Sequence, residues 1–253
     1  MATYKLTIQY DGTHYAGWQC QPNQPTVQAA VEQALSQITQ VRIPVIAAGR
    51  TDSGVHAWGQ VISFQSEKSL STHEWIRALN GLLPPDVAIQ QAEEVPGTFH
   101  ARYHASGKIY EYRILLATYR SALDRYRLWH IPRTLDVKAM KEAGKFFIGT
   151  HDFSSFQNSP TDTKNPVCTI KSFTLSQENS LLCIRVQADR FLKQMVRSMV
   201  GTVVEVGLGR RQPSDINQIL EATNRCAAGK TAPPHGLFLV QVLYEPLQQY
   251  SIG

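Results

Sequence analysis

An α+β chain of two like-folded halves is what the sequence predicts, and three observations predict it. Residues 1–104 alternate as strand, helix, strand, strand, helix, strand, the split arrangement of a ferredoxin-like sandwich. Residues 105–253 roughly echo that order. No short-period repeat and no low-complexity linker interrupts the chain, so the likeness of the halves rests on element order and not on sequence similarity. The length of 253 residues suits one large or two small domains.

The opening TYKLTIQY reads as a strand closed by the Asp11-Gly12 turn. Thr26 is placed to cap a helix whose Val27, Ala30, Val31, Ala34, Leu35 and Ile38 recur at helical spacing. Ile43 to Ala48 and Gln60 to Gln65 are rich in β-formers and flank a loop with two glycines. Ser71 followed by Glu74 forms a capping box for a helix to about Leu79, and a strand follows at Val87 to Glu93. In the second half Lys108 to Leu116 predicts a strand with Tyr110, Tyr112 and Ile114 on one side and Ile109, Glu111 and Arg113 on the other. Asp136 to Phe147 predicts a helix, and the stretch HDFSSFQNSPTDTKNP a loop. Val167 to Leu175 and Leu181 to Val186 predict a hairpin; a long amphipathic helix from about Phe191 to Val206, a short helix after Pro213 and a strand from Leu237 to Tyr244 complete the chain.

Composition excludes several classes. With 43% hydrophobic and 18% charged residues, the chain is neither disordered nor a coiled coil. No apolar stretch reaches the ~18 residues of a membrane helix, and MATYKLTIQYDG meets polar residues too soon for a signal-peptide core, so a cytoplasmic protein is expected. Cys20, Cys168, Cys183 and Cys226 lack CxxC spacing and read as reduced thiols. The net charge of +5 is unevenly held: Thr98 to Lys145 contains ten Lys or Arg against four Asp or Glu. Phe99, Tyr103, Tyr110, Tyr112, Tyr119, Tyr126 and Trp129 lie in the same segment, and cations interleaved with aromatics suit phosphate contacts and base stacking, or simply a basic face.

The strongest local signal is GRTDSGVHAWGQV, from Gly49 to Val61. Its glycines permit a tight loop that would present Arg50, Asp52 and His56 outward, with Arg50 favouring an ionised Asp52 able to act as nucleophile or base. The same residues also suit an ordinary hairpin loop with a turn-favouring Asp. Tyr110 and Tyr112 offer either a stacking platform or strand core, or one of each. On the long helix Arg190, Lys193, Gln194, Arg197 and Gly201 form a stripe whose default is a solvated face. The eight histidines, in pairs such as His100 with His104 or His151 with Asp152, match no metal-site spacing, and no Walker A loop, dinucleotide fingerprint or GxSxG elbow occurs. The expectation is therefore chemistry with no metal and no cofactor.

At GRTDSGVHA the chain resembles the TruA family of tRNA pseudouridine synthases, whose catalytic loop GRTDxGVHA is matched without a break. The resemblance continues through FHAR at Phe99, KIYEY at Lys108, HDFSSF at His151, FLKQMVRSMVG at Phe191 and TAPPHGL at Thr231. It implies two ferredoxin-like, RRM-like halves forming an extended antiparallel sheet with helices packed on one face and a basic cleft between them. It also implies a homodimer that binds tRNA and isomerises uridine to pseudouridine at positions 38, 39 and 40 of the anticodon stem-loop. Carried over, Asp52 matches the catalytic aspartate, Arg197 an arginine beside it, and Tyr110 the tyrosine that stacks on the uracil. Arg50 matches a backbone contact that helps flip the base, while Arg102 and Lys108 stand as further phosphate contacts. Two other readings compete: a non-catalytic RNA-binding module of the same fold, and a metal-dependent hydrolase using Asp52, His56 and His151.

Overall fold

The computed structural model describes residues 1–159 and 165–245. These fall into two compact units, residues 1–107 with the chain from Leu239 onward, and residues 108–238. The last strand thus groups with the first unit, where element order alone had divided the chain between 104 and 105.

In the first unit, β1 (Ala2–Tyr10) is flanked by β3 (His56–Ser66) and β4 (Val87–Val95), antiparallel to both. The two-residue β2 (Ile46–Ala47) pairs antiparallel with β3, off a path in which β4, β1 and β3 are followed by the last strand, β10 (Leu237–Tyr244). Helix α1 (Val27–Thr39) starts where Thr26 accepts the Ala29 N–H. Helix α2 (Thr72–Leu82) starts in the expected box: Ser71 Oγ accepts from Glu74 N, and Glu74 Oε2 from Ser71 N at 2.9 Å. The core forms where Trp75 of α2 meets Tyr4 and Phe64, with ring centroids 5.3 Å away in both cases. Leu6, Ile8, Val31, Leu35, Ile62 and Leu79 are fully buried in this unit.

In the second unit, β5 (Ala105–Leu115), β9 (Leu181–Ala188), β8 (Val167–Glu178) and β7 (Gly149–Asp152) follow one another across an antiparallel sheet. The short β6 (Trp129–His130) runs parallel to β5. Helix α3 (Val137–Lys145), capped by Asp136, packs on α4 (Met195–Gly207), and α5 (Asp215–Glu221) follows. Phe147 gathers Phe156 at 5.1 Å and Phe173 at 5.3 Å into an aromatic core. The final β10 (Leu237–Tyr244) falls where its sequence places it. Among the described residues, no helix is long and apolar enough to cross a membrane.

Several elements differ from expectation: β3 begins at His56, four residues ahead of the expected Gln60, and the short β6 has no counterpart among the expected strands. Of Ile43 to Ala48, Ile46 and Ala47 form the strand and Ala48 N still donates to Val61 O at 2.8 Å, whereas Val45 directs its N–H to Glu32 Oε1 of α1 at 3.2 Å. Helix α4 begins at Met195, not Phe191, since Gln194 sits in the left-handed region at φ 59°. The stretch from His151 contains the end of β7 and a 3-10 turn at Ser154–Phe156; its residues 160–164 lie outside those described.

Of the stripe expected to be solvated, Arg190, Lys193 and Gln194 precede α4; Lys193 is exposed, Arg190, Gln194 and Arg197 are half-buried, and Gly201 is buried. A side-chain carbon added at Gly201 would stand 1.7 Å from the Lys230 carbonyl oxygen, so chain and helix touch backbone to backbone there. Gly201→Ala is expected to cost about 1–3 kcal/mol as an overpacked contact, read as a lower urea midpoint. An unchanged midpoint would show that the 230 segment is not seated on α4.

Candidate active site

The loop between β2 and β3 is held by alternate residues. Gly49 O accepts from Gln60 Nε2 at 2.8 Å, and Thr51 Oγ1 lies 2.7 Å from the Tyr10 hydroxyl. Thr51 O also accepts from Trp18 N at 3.0 Å. Ser53 Oγ and Gly54 N both donate to Tyr15 O, at 3.1 and 3.4 Å, and Val55 N closes the turn onto Asp52 O at 3.1 Å. Gly54 supplies the positive φ of 76° that this turn requires. Because Gly49, Thr51 and Val55 are tied or packed inward, Arg50 is left exposed and Asp52 half-buried. Backbone alternation on a rigid footing therefore sets out the two polar side chains of the motif.

His56 does not share that outward direction. It is buried, and its Nδ1 accepts the Gly12 N–H at 3.0 Å, with Asp11 Oδ1 at 3.1 Å from the same nitrogen. The bond ties the Asp11-Gly12 turn under the loop, where a side chain at Gly12 would stand 2.1 Å from Val55 O. His56 is thus a strut of the loop, contrary to the outward placement expected from sequence. Arg102 lies in the exposed turn after Phe99, where its N–H and that of Tyr103 are both accepted by His100 Nδ1 at 3.2 Å.

The second unit holds Lys108, Tyr110 and Arg197. Tyr110 lies on β5 opposite Val186, 7% exposed, with Phe191 edge-on to its ring at 5.1 Å and 87°. Tyr112, two residues on, is core: fully buried, its hydroxyl donates to Pro233 O at 2.7 Å, and burial pushes its phenol far above the usual tyrosine range. The nearby Arg197 cation opposes that rise. Arg197 is half-buried and doubly joined to Ala232: its Nε donates to Ala232 O at 2.9 Å, and Ala232 N donates to Arg197 O at 3.0 Å. Lys108 is half-buried at the start of this β5 segment.

The basic segment is not one uniform surface. Buried Glu111 binds Arg113 Nε at 2.9 Å and Arg185 Nη2 at 2.8 Å, so Arg113 is committed to an internal ion pair. Phe99, Tyr110 and Tyr112 are buried, whereas Tyr103 and Tyr119 are exposed and Arg125 stacks on Tyr126 at 4.5 Å. Sequence reasoning missed Tyr10, Thr51 and Gln60 as supports of the loop. The signal available was a glutamine between apolar neighbours in a strand, a position that burial tolerates only with partners.

Burial pushes the Tyr10 phenol up to about 12, against lowering hydrogen bonds from Thr51 and Gln60. Its proton is then lost from the unfolded chain first, so stability should fall as pH rises from 10 toward 12. Tyr10→Phe should weaken that fall and cost about 1 kcal/mol at pH 8 through the unpartnered Thr51 hydroxyl. Urea midpoints of both proteins across this range test the pair; identical slopes would remove Tyr10 as the titrating support.

A family model described as tRNA pseudouridine synthase matches residues 6–104 and 143–245. Proteins named tRNA pseudouridine synthase A are similar over nearly the whole chain. That of Acetivibrio thermocellus is 44% identical over 244 residues, covering 96% of this chain and 100% of its own. That of Anoxybacillus flavithermus is 45% identical over 246 residues, covering 97% and 100%. That of Bacillus licheniformis is 44% identical over 243 residues, covering 95% and 98%. With the supported loop around Asp52 and the Arg197 helix both inside the matched stretches, the chain belongs to the tRNA pseudouridine synthase family.

Proposed function

We propose that this protein isomerises uridine to pseudouridine in tRNA, at positions 38, 39 and 40 of the anticodon stem-loop, as a cytoplasmic homodimer. The observation that carries the reading is the alternately anchored Gly49–Val55 loop, which exposes Arg50 and sets a half-buried Asp52 on a fixed base. The antiparallel β4-β1-β3 sheet with α1 and α2 in the first unit, and the antiparallel β5-β9-β8-β7 sheet with α3 and α4 in the second, support two ferredoxin-like halves.

Uridine and pseudouridine are isomers, so the bookkeeping of atoms closes within the nucleoside. The C1′–N1 bond breaks, the uracil turns while held, a C5–C1′ bond forms, the C5 hydrogen leaves as a proton and N1 gains one. No redox partner is required. Asp52 serves as nucleophile, attacking either the uracil ring or the anomeric carbon, and the detached base must stay shielded from water. Tyr110, held upright by Phe191, stacks on the uracil and keeps its plane while it turns. Arg197 contributes a permanent positive charge to the reaction, Arg50 helps flip the nucleotide, and Arg102 and Lys108 bind phosphates. Extracting a stacked uridine costs a few kcal/mol, which such phosphate contacts offset.

Unmodified tRNA transcripts tritiated at uracil C5 test the reading in the presence of EDTA. Wild type should release tritium, and Asp52→Asn should release none above background while still binding tRNA. Binding without release by wild type would favour a non-catalytic RNA-binding module, and release by Asp52→Asn at the wild-type rate would remove Asp52 from the chemistry. Tyr110→Ala should lower the single-turnover rate by about 10- to 100-fold through the lost stack, whereas Tyr110→Phe should retain the stacking contribution. Equal rates for Tyr110→Ala and wild type would rule out stacking on that ring.

A further inference from the structure

Arg197 emerges from a helix whose flank is covered by a strap of chain, residues 228–233. The strap is clipped to α4 at successive turns. Gly229 N donates to Thr202 Oγ1 at 2.9 Å, and that hydroxyl donates in turn to Ser198 O at 2.8 Å. Lys230 O presses on Gly201, while Lys230 N donates to Glu205 Oε1 at 3.2 Å. Ala232 exchanges its two hydrogen bonds with Arg197, and Pro233 O receives the Tyr112 hydroxyl. The carbonyl that fixes the Arg197 guanidinium is therefore only as well placed as the strap.

One side chain gathers the strap to the start of α4. Arg225 Nη1 donates to Gly229 O at 3.0 Å, and its Nη2 donates to Thr231 Oγ1 at 2.7 Å. Its Nε donates to Asn158 Oδ1, and Asn158 Nδ2 donates to Gln194 Oε1 and to Thr231 Oγ1 at 3.1 Å. Asn158 N also donates to Lys193 O at 3.1 Å. Thr231 Oγ1 thus accepts twice, and its own proton faces Ser198 Oγ at 3.4 Å. The guanidinium fork uses all three nitrogens on the strap and on the residue that grips Gln194, the left-handed residue at which α4 begins. A lysine could reach one of these oxygens but could not span the set.

We infer that Arg225, with Asn158, is a positioning residue for the reaction: it fixes strap and helix start together and so places Arg197. The inference rests on the role given to Arg197 above. It predicts a loss of rate without a loss of RNA affinity, because these donors are turned on protein oxygens.

The test uses full-length Arg225→Lys, Asn158→Ala and Arg197→Lys, and the double variant Arg197→Lys/Arg225→Lys, with tRNA tritiated at uracil C5. Arg225→Lys should lower the single-turnover rate at saturating enzyme by about tenfold or more, as a displaced reacting group does. Its tRNA Kd should stay within about twofold and keep the wild-type salt slope. Asn158→Ala should show the same split, and adding Arg225→Lys to Arg197→Lys should cost nothing further. Amide exchange at residues 228–232 should quicken in Arg225→Lys with or without activity. A weaker Kd with a shallower salt slope would make Arg225 a phosphate contact and overturn the proposal. So would a rate within twofold of wild type, losses that multiply in the double variant, or unchanged exchange along the strap. Absence of product from wild type would overturn the isomerase reading itself, and is told apart by the exchange measurement.

Discussion

Gln60 carries a fully buried amide into the middle of β3, and the loop that bears Asp52 rests on where that amide donates. A buried carboxamide must satisfy its hydrogen-bonding groups, and Gln60 does so on Gly49 O, its own neighbour's N–H and the Tyr10 phenol. Tyr10 in turn meets Thr51. Two ends of the loop are thereby fixed from below by β1 and β3, the most firmly packed strands of the unit. Because an unmade bond in this setting costs more than a made one contributes, the network resists partial loosening. The position of Asp52 is a by-product of satisfying groups that never face solvent.

The second unit reaches rigidity by another route. Helix α4 is buried along most of its length and admits the strap only because Gly201 has no side chain, while Thr202 turns its hydroxyl onto Ser198 O and Ser198 Oγ meets Thr231 Oγ1. Close approach of two backbones leaves room for short, directed bonds and excludes alternatives. On the sheet, buried Glu111 gathers Arg113 and Arg185, which removes charge from a segment that composition alone counts as basic. A tally of cations therefore overstates the surface that RNA could meet.

Features governed by neighbours in sequence were legible: the Thr26 cap, the Ser71–Glu74 box and the span of β10 all follow from local spacing. The motif around Asp52 was legible too, and Tyr112 takes the core position that strand alternation offered to either tyrosine. What sequence could not show depends on distant partners. Ile43 to Ala48 has strand composition, yet Glu32 takes the Val45 N–H. His56 looks like a displayed polar residue until the Gly12 N–H is found on its ring. Gln194 carries no sign in its residue type that a helix starts after it. The grouping of the last strand with the first unit spans most of the chain and leaves no local trace.

The alternation in the Gly49–Val55 loop bears on how this stretch can vary in length. Inward and outward positions succeed one another residue by residue, so a single inserted residue between Gly49 and Asp52 would reverse their parity. Asp52 would then fall on an anchored position and Thr51 on a displayed one. Two inserted residues would restore the order but lengthen the span between the Gln60 and Tyr10 anchors, which the underlying strands hold at a fixed separation. The loop thus tolerates exchange of residue type at Ser53, where the backbone also holds the turn, far more readily than any change in count, and the motif behaves as a ruler as much as a set of reactive groups.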